Sequence, residues 1–155
     1  MRHWAKASLI ALTALYSTAA MSEPKDPLAI HQETDIAAPP EQVYAALLDE
    51  KQFTRITGAP AKIESGAGGS FSLFGGAIIG RNVELVPASM VVEAWRVSNW
   101  APGVYSNVRF KLTATNLGTH IVLDQTGFPQ SDFHGLSIGW PEHYWKPLRR
   151  LSSKN

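Results

Sequence analysis

The alternation of apolar and polar residues between positions 106 and 115 constrains the fold more than any other feature of the sequence. Within this stretch Val108, Phe110 and Leu112 occupy every second position, and polar residues stand between them. A period of two is that of a β-strand with one buried face and one solvated face. We therefore expect a sheet that covers a core on one side only.

Related patterns predict further strands on both sides of this one. The predicted strands are 28–36, 71–74, Ile78–Val86, Met90–Val97 and 120–126. Turn-forming residues at 75–76, 87–89 and 116–118 separate consecutive strands. Connections this short join antiparallel neighbours, so the sequence predicts an antiparallel sheet.

Two segments show helical spacing instead. Apolar residues recur every three to four positions over Pro40–Leu48, and Phe53 and Ile56 predict a further half-turn before Gly58. At the end of the chain a second apolar stripe is formed by Leu136, Trp140, Tyr144, Leu148 and Leu151. A helix that begins near Leu136 must use Pro141 in its first turn or kink there. An α+β fold with helices on one face of a curved sheet buries both patterns.

The first residues differ in character from the rest of the chain. Arg2 and Lys6 precede an uncharged apolar stretch at 7–16 and small residues at 17–22, which is the order of a secretory signal peptide. The apolar stretch is too short for a bilayer-spanning helix, which needs about 20 residues. We predict a signal peptide at 1–22, a lead-in at 23–27 and one domain at 28–152. The protein is then periplasmic or secreted without a stable membrane anchor, or cytoplasmic if translation starts at Met21.

Composition excludes several classes of function. The 155-residue chain has no cysteine, so disulfides, thiolate metal centres and a cysteine nucleophile are excluded. Its formal net charge is +1 without a basic run, which gives no support for nucleic-acid binding. No two histidines have the spacing of a helical metal motif, and we expect neither a metal nor another cofactor.

Several segments together resemble a known family. Residues 80–87 and 91–96, followed by 126–129, 139–140 and 144–148, are similar to the heat shock protein 90 ATPase activator homologues, and 36–44 resembles the start of the wider START-like (SRPBCC) superfamily. The resemblance covers about 28–151. It implies a helix-grip fold, in which a curved antiparallel β-sheet wraps around a long C-terminal α-helix and often leaves an apolar cavity.

The resemblance suggests residues that line such a cavity. These candidates are Phe71, Trp95, Val108, Phe110, Trp140 and Tyr144, and the alternative for each is ordinary core packing. Arg81 is in phase with Leu85, and Glu93 is in phase with Trp95. If both faces point inward, Arg81 and Glu93 form a charged pair in the cavity wall that orients the polar end of a ligand. Otherwise one or both are solvated.

Three functional hypotheses follow. The first is an exported, non-catalytic domain that binds a small apolar ligand or a partner protein. The second is a co-chaperone-like regulator of the heat shock protein 90 ATPase, which requires a cytoplasmic location. The third is a cyclase-like or hydrolase-like enzyme, which requires polar groups to converge on one site. The candidates for that role are Arg81, Glu93, Asp124 and His143.

Overall fold

A single antiparallel sheet forms the framework of the molecule. The computed structural model describes residues 26–151; the predicted signal peptide, and the lead-in before Asp26, lie outside them. The seven strands are arranged in the order β1-β7-β6-β5-β4-β3-β2. Their bounds are Ile30–Ile36 (β1), Lys62–Ile63 (β2), Ser70–Leu73 (β3), Ile78–Val86 (β4), Met90–Val97 (β5), Ser106–Thr115 (β6) and Gly118–Thr126 (β7). The predicted antiparallel sheet is confirmed.

Three strands have bounds that differ from the predicted ones. β1 begins two residues later than expected, and β7 begins two residues earlier, at Gly118. Phe74 lies outside β3 because it opens a 3-10 turn at Phe74–Gly76, where its own φ is 54°. The two-residue strand β2 is not visible in the sequence pattern because it is too short to show a period.

Two helices, α1 (Pro40–Leu48) and α2 (Glu50–Thr57), connect β1 to β2. Pro40 occupies the first turn of α1, where its missing N–H costs nothing. The predicted half-turn near Phe53 is a complete helix, because the Asp49 side chain accepts a hydrogen bond from Gln52 N at 2.9 Å and caps its N-terminus. Gly58, at φ +71°, ends the helix in the left-handed conformation that glycine adopts most readily.

The C-terminal segment is helical but not one regular α-helix. It comprises α3 (Phe133–Trp140), a π-helical turn (Pro141–Trp145) and α4 (Lys146–Leu148), so it begins three residues before the expected start at Leu136. The amide of Lys146 donates to the carbonyl of Pro141, five residues earlier. Pro147 has no N–H to donate to the preceding turn, and the helix widens immediately before it.

The core lies between the inner face of the sheet and these helices. Along β6 the residues Ser106, Val108, Phe110 and Leu112 are buried, and the residues between them are exposed. Phe53 of α2 and Leu148 of α4 are buried against the same face. The helices therefore cover the concave side of the sheet, as the helix-grip fold requires.

Candidate functional site

An apolar cleft opens between the C-terminal helical segment and the end of the sheet formed by β4 and β5. Its volume is about 480 Å³, and its lining includes the aromatic residues Phe74, Trp95, Trp140 and Tyr144. Asp132 and His143 lie at its margin. A concave apolar site with few polar groups is typical of small-molecule binding.

Two glycines of α3 make room for the cleft. Gly135 and Gly139 both line it and stand four residues apart on one side of the helix. A Cβ added at Gly135 would meet no atom within 4 Å, and one at Gly139 would lie 3.9 Å from His143 Cδ2. The two glycines therefore leave open space along one side of α3 beside the cleft.

The aromatic wall of the cleft is tightly packed. The ring centroids of Trp140 and Tyr144 are 4.5 Å apart, and those of Trp95 and Trp140 are 5.3 Å apart. Phe74 contacts Tyr144 edge to face at 5.8 Å. Tilted and edge-to-face pairs at these separations add stability beyond the burial of apolar area, so the wall is a rigid surface.

Hydrogen bonds fix the orientation of Trp140. Its Nε1 donates to Gln125 Oε1 at 2.8 Å, and Gln125 Nε2 donates to Ser106 Oγ at 2.9 Å. Ser106 Oγ in turn donates to the carbonyl of Trp95 at 2.8 Å. Because this series of hydrogen bonds satisfies buried polar groups on α3, β5, β6 and β7, it ties the indole of Trp140 to the sheet.

The π-helical turn explains why two consecutive residues are both buried. Tyr144 faces the cleft and β5, whereas Trp145 reaches the first strand, where its Nε1 donates to Gln32 Oε1 at 2.8 Å. Gln32 Nε2 donates back to the carbonyl of Ser137 in α3 at 2.8 Å. The wide turn thus presents aromatic residues to two parts of the sheet at once.

The loop between β5 and β6 borders the cleft and is held in place. Trp100 Nε1 donates to Asp132 Oδ2 at 2.5 Å, and the Arg96 guanidinium donates to the carbonyl of Trp100. Arg96 is buried, and its guanidinium lies 5.3 Å from the ring centroid of Tyr105. These contacts join this loop to the segment that leads into α3.

The structure separates the predicted cavity residues into two groups. Trp95, Trp140 and Tyr144 line the cleft. Phe71, Val108 and Phe110 do not line it but are buried in the core. Both groups lie on the inner face of the sheet, where alternation cannot distinguish a cleft wall from packed core.

Arg81 and Glu93 do not form the pair that the sequence suggested. Arg81 is exposed and donates to the carbonyl of Gly68, whereas Glu93 is buried at 5% exposure. The strand register shifts between Asn82 and Glu84. This β-bulge breaks the phase that connected Arg81 with the inward-facing Leu85, and Asn82 faces inward opposite Glu93 instead.

The environment of Glu93 keeps its carboxyl group uncharged at neutral pH. Burial raises the pKa of Glu93 to about 8. The pKa of Tyr144 is also raised, first by burial and then by the charge that Glu93 acquires on ionisation. Both groups are therefore protonated at pH 7 and can donate hydrogen bonds.

A series of hydrogen-bonded charged side chains covers the solvated outer face of β1 and β7, on the side of the sheet away from the cleft. We call this series the outer-face ladder. His31 Nδ1 lies 2.7 Å from Asp124 Oδ1 and His31 Nε2 lies 3.0 Å from Glu33 Oε1. His120 Nδ1 lies 2.7 Å from Asp35 Oδ1 and His120 Nε2 lies 3.1 Å from Glu33 Oε2. Because both nitrogens of each ring face carboxylates, these bonds favour the doubly protonated imidazolium.

The candidates for catalysis are spread over the molecule. Arg81 and Asp124 are on the outer face, where Arg109 NH2 donates to Asp124 Oδ2 at 2.8 Å. Glu93 is in the interior and His143 lies at the cleft margin. Within residues 26–151 no three His, Asp or Glu side chains are arranged to hold a metal ion. Every helix in that range is too short or too polar to span a bilayer.

Sequence reasoning did not identify Asn82, Gln125, Gly135 and Gly139. The spacing of the two glycines on one helix face was a usable signal, since glycine in a helix interior has a conformational cost. Asn82 carried no such signal, because its inward orientation depends on the bulge that follows it.

The family model described as Activator of Hsp90 ATPase homolog 1-like protein matches residues 37–152. The chain belongs to this family. Among curated family relatives, the Activator of 90 kDa heat shock protein ATPase homolog of Dictyostelium discoideum is 30% identical over 115 residues, which are 74% of this chain and 30% of that protein. The human homolog 1 is 25% identical over 111 residues, or 72% of this chain and 33% of its own length. The chain spans about a third of these relatives.

Solved structures confirm the fold of this family. The crystal structure of an HSP90 activator from Plasmodium falciparum has a TM-score of 0.67 and 26% identity, and the match covers 76% of this chain and 89% of that one. A crystal structure of a Mesorhizobium loti protein has a TM-score of 0.70 over 83% of this chain and 99% of that one, at 24% identity, and bears on the fold alone. The predicted helix-grip architecture is thereby confirmed.

Proposed function

We propose that this domain binds a small apolar ligand in the aromatic cleft and does so without catalysis. The observation that carries the proposal is the cleft itself, about 480 Å³ in volume and walled by Trp95, Trp140 and Tyr144. Burial of apolar ligand surface against such walls supplies roughly 25 cal/mol for each Å² removed from water. The wide separation of Arg81, Glu93, Asp124 and His143 supports a binding role over a catalytic one.

A substitution that fills the cleft tests this function. Gly135→Leu places a side chain into space that is open at its Cβ and should not disturb the backbone. The matched control is Ile138→Leu, which introduces the same residue on the exposed side of α3. The neutral fluorophore N-phenyl-1-naphthylamine serves as the probe, and its fluorescence is titrated against each variant.

We expect saturable binding to the unaltered protein and to the control, and at least tenfold weaker binding to Gly135→Leu. Equal binding to both variants would contradict the proposal, as would binding that does not saturate. Native mass spectrometry of protein purified from its own host provides an independent test. It should detect a small bound molecule that Gly135→Leu lacks.

We further propose that the domain acts outside the cytoplasm. The basic, apolar and small-residue order of residues 1–22 supports export. N-terminal sequencing of the protein from its host should find a start between Ala19 and Glu23, and fractionation should place it outside the inner membrane. Protein that begins at Met21 and remains in the cytoplasm would contradict export.

A second candidate function is supported by the comparisons. The family model and the curated relatives carry the name of an activator of the Hsp90 ATPase, which makes a protein partner of that kind the alternative. The test is the ATPase rate of the host's own Hsp90 with increasing amounts of the purified chain. A saturable rise that Gly135→Leu leaves unchanged would favour the partner over the ligand.

A further inference from the structure

Two polar residues face each other in the interior without charge compensation. Asn82 of β4 and Glu93 of β5 are directly opposite in the strand register, and their exposures are 1% and 5%. Neither Oδ1 nor Nδ2 of Asn82 has a hydrogen-bond partner within the part of the chain that the structure describes. Their side chains point into the same side of the sheet as the cleft-lining Trp95.

Such a pair weakens the folded state. More than nine-tenths of buried polar groups in proteins are hydrogen-bonded, and each unsatisfied one costs folding free energy. The neighbouring inward positions on these strands hold Val91 and Trp95, so an apolar residue is compatible with this layer. A bound group that completed the hydrogen bonds of Asn82 would offset this cost.

The pair lies immediately behind the inner wall of the cleft. Glu93 is two residues from Trp95 on the same face of β5, a separation of about 6.5 Å along a strand. At the cleft wall, Trp95 Nε1 donates a long hydrogen bond of 3.4 Å to the Tyr144 hydroxyl. Tyr144 is also close enough to Glu93 for ionisation of that carboxyl to affect it. Tyr144 lines the cleft whereas Asn82 and Glu93 do not, so the polar pair is next to the cleft but not in its wall.

The region behind Tyr144 provides donors and acceptors but no charge. Asn82 provides an amide, and the protonated carboxyl of Glu93 provides one donor and one acceptor. Arg81, the basic residue adjacent to Asn82, lies on the opposite face of the sheet. A buried anion without a cationic partner is strongly disfavoured, so the chemistry selects an uncharged group.

We propose that Asn82 and Glu93, reached past Tyr144, bind the polar end of a ligand whose apolar body fills the cleft. This inference rests on the proposed ligand-binding function and specifies the class of ligand. The ligand is a neutral aromatic or aliphatic molecule that carries an adjacent donor and acceptor, as a carboxamide does. A carboxamide can form two hydrogen bonds with the Asn82 side chain, which has the same pair of groups.

Three probes of similar shape test this ligand class: 2-naphthamide, 2-naphthoate and 2-methylnaphthalene. Their affinities are measured by calorimetry for the unaltered protein, Asn82→Leu and Glu93→Gln. The matched control is Asn107→Leu, the same substitution at an exposed position on the outer face of β6.

We expect the unaltered protein to bind 2-naphthamide about tenfold more tightly than either other probe, as two net hydrogen bonds would provide. Asn82→Leu should abolish that preference and leave the affinity for 2-methylnaphthalene unchanged. Glu93→Gln, which keeps an uncharged donor and acceptor, should retain it, and so should Asn107→Leu.

The possible failures are distinguishable. If the unaltered protein binds all three probes equally, or if Asn82→Leu keeps the preference, the polar end is assigned wrongly while the cleft function stands. If no probe binds saturably, the proposed function fails and this inference fails with it. Should Asn82→Leu not fold, the side-chain NH₂ resonance of Asn82 in the unaltered protein decides. It should shift with 2-naphthamide and not with 2-methylnaphthalene, and a bound amide that leaves it unmoved overturns the assignment.

Discussion

The two faces of the sheet shift the pKa of a carboxyl group in opposite directions. On the inner face burial raises the pKa of Glu93 to about 8. On the outer face the pKa of Glu33 is lowered, chiefly by its hydrogen bond with His31. The pKa of Asp124 is also lowered: burial opposes the shift, but the hydrogen bonds from His31 and Arg109 outweigh it. A carboxyl is therefore neutral on one side of the sheet and firmly anionic on the other.

This contrast gives the two faces of the sheet different electrostatic environments. On the inner face a charge lacks both solvent and partners, so a buried carboxyl is held uncharged. The outer face has alternating charges in solvent, where each interaction contributes little to stability but changes with pH and salt. Substitutions on the two faces should therefore differ in size and in their response to pH.

The largest expected difference between the faces is in packing. Phe110 is fully buried, and its ring is 5.7 Å from that of Trp140 and 6.1 Å from that of Tyr144. Phe110→Ala should lower the free energy of unfolding by about 3–5 kcal/mol. Lys111→Ala, the next residue but on the outer face, should change it by less than about 0.5 kcal/mol. Urea denaturation measures the free energy of unfolding of both variants. Decreases of similar size would show that β6 does not have one buried and one solvated face.

The next effect is the pH dependence that Glu93 introduces. Its pKa is about 8 in the folded protein and near 4.5 when unfolded, so the folded state holds the extra proton between these values. The free energy of unfolding is therefore not reduced by ionisation of Glu93 below about pH 4.5, and it falls as the pH rises from there towards 8, because unfolding lets the carboxyl ionise. The slope for this one group is at most about 1.4 kcal/mol per pH unit.

Glu93→Gln removes this slope, because glutamine does not titrate. The difference in unfolding free energy between Glu93→Gln and the unaltered protein should therefore grow from pH 5 to pH 8 in favour of the variant. Asn107→Leu, which replaces an exposed side chain without a titratable group on the outer face of β6, serves as the control and should show no such trend. A difference that stays constant with pH would mean that Glu93 is ionised in the folded protein.

The smallest effects are expected in the outer-face ladder. The pKa of His31 is raised, most by Asp124 and next by Glu33, and that of His120 is raised, most by Asp35. The stability that the histidines give is present at acidic pH and is lost as pH rises through their folded pKa values, above 6.5. The lowered pKa values of Glu33 and Asp124 act in the opposite sense, and their contribution is lost in acid.

An NMR titration of the imidazole resonances tests this ladder. Asp124→Asn should lower the pKa of His31 more than Glu33→Gln does and should leave His120 nearly unchanged. Glu33→Gln should lower the pKa of both histidines, because its carboxylate lies between them. If Asp124→Asn lowers the pKa of both histidines equally, those pKa values depend on the total charge of the ladder and not on its individual hydrogen bonds.

Much of the fold could be predicted from the sequence because the turns are short and well marked. The bounds of β4, β5 and β6 agree with the alternation that predicted them. The π-helical turn could not be predicted, because a helical stripe with two prolines fits either a kinked α-helix or a widened one. The cap that completes α2 is a single aspartate whose effect depends on the helix that it begins.

The site was predictable only in part. Of the aromatic residues that the sequence singled out, Trp95, Trp140 and Tyr144 line the cleft. The sequence could not separate them from Phe110, since packed core and cleft wall share one pattern. The orientation of Arg81 could not be predicted from the alternation, because a bulge inserts one residue and reverses the phase of the strand.

The pairing of β1 with β7 has a consequence for how the molecule is made. His31 and Asp124 are 93 positions apart, and Gln32 and Trp145 are 113 apart. β1 therefore cannot pair with β7 until the residues between them have been made, and contacts so distant in sequence form slowly. Until then the backbone groups of β1 that pair with β7 stay without those partners.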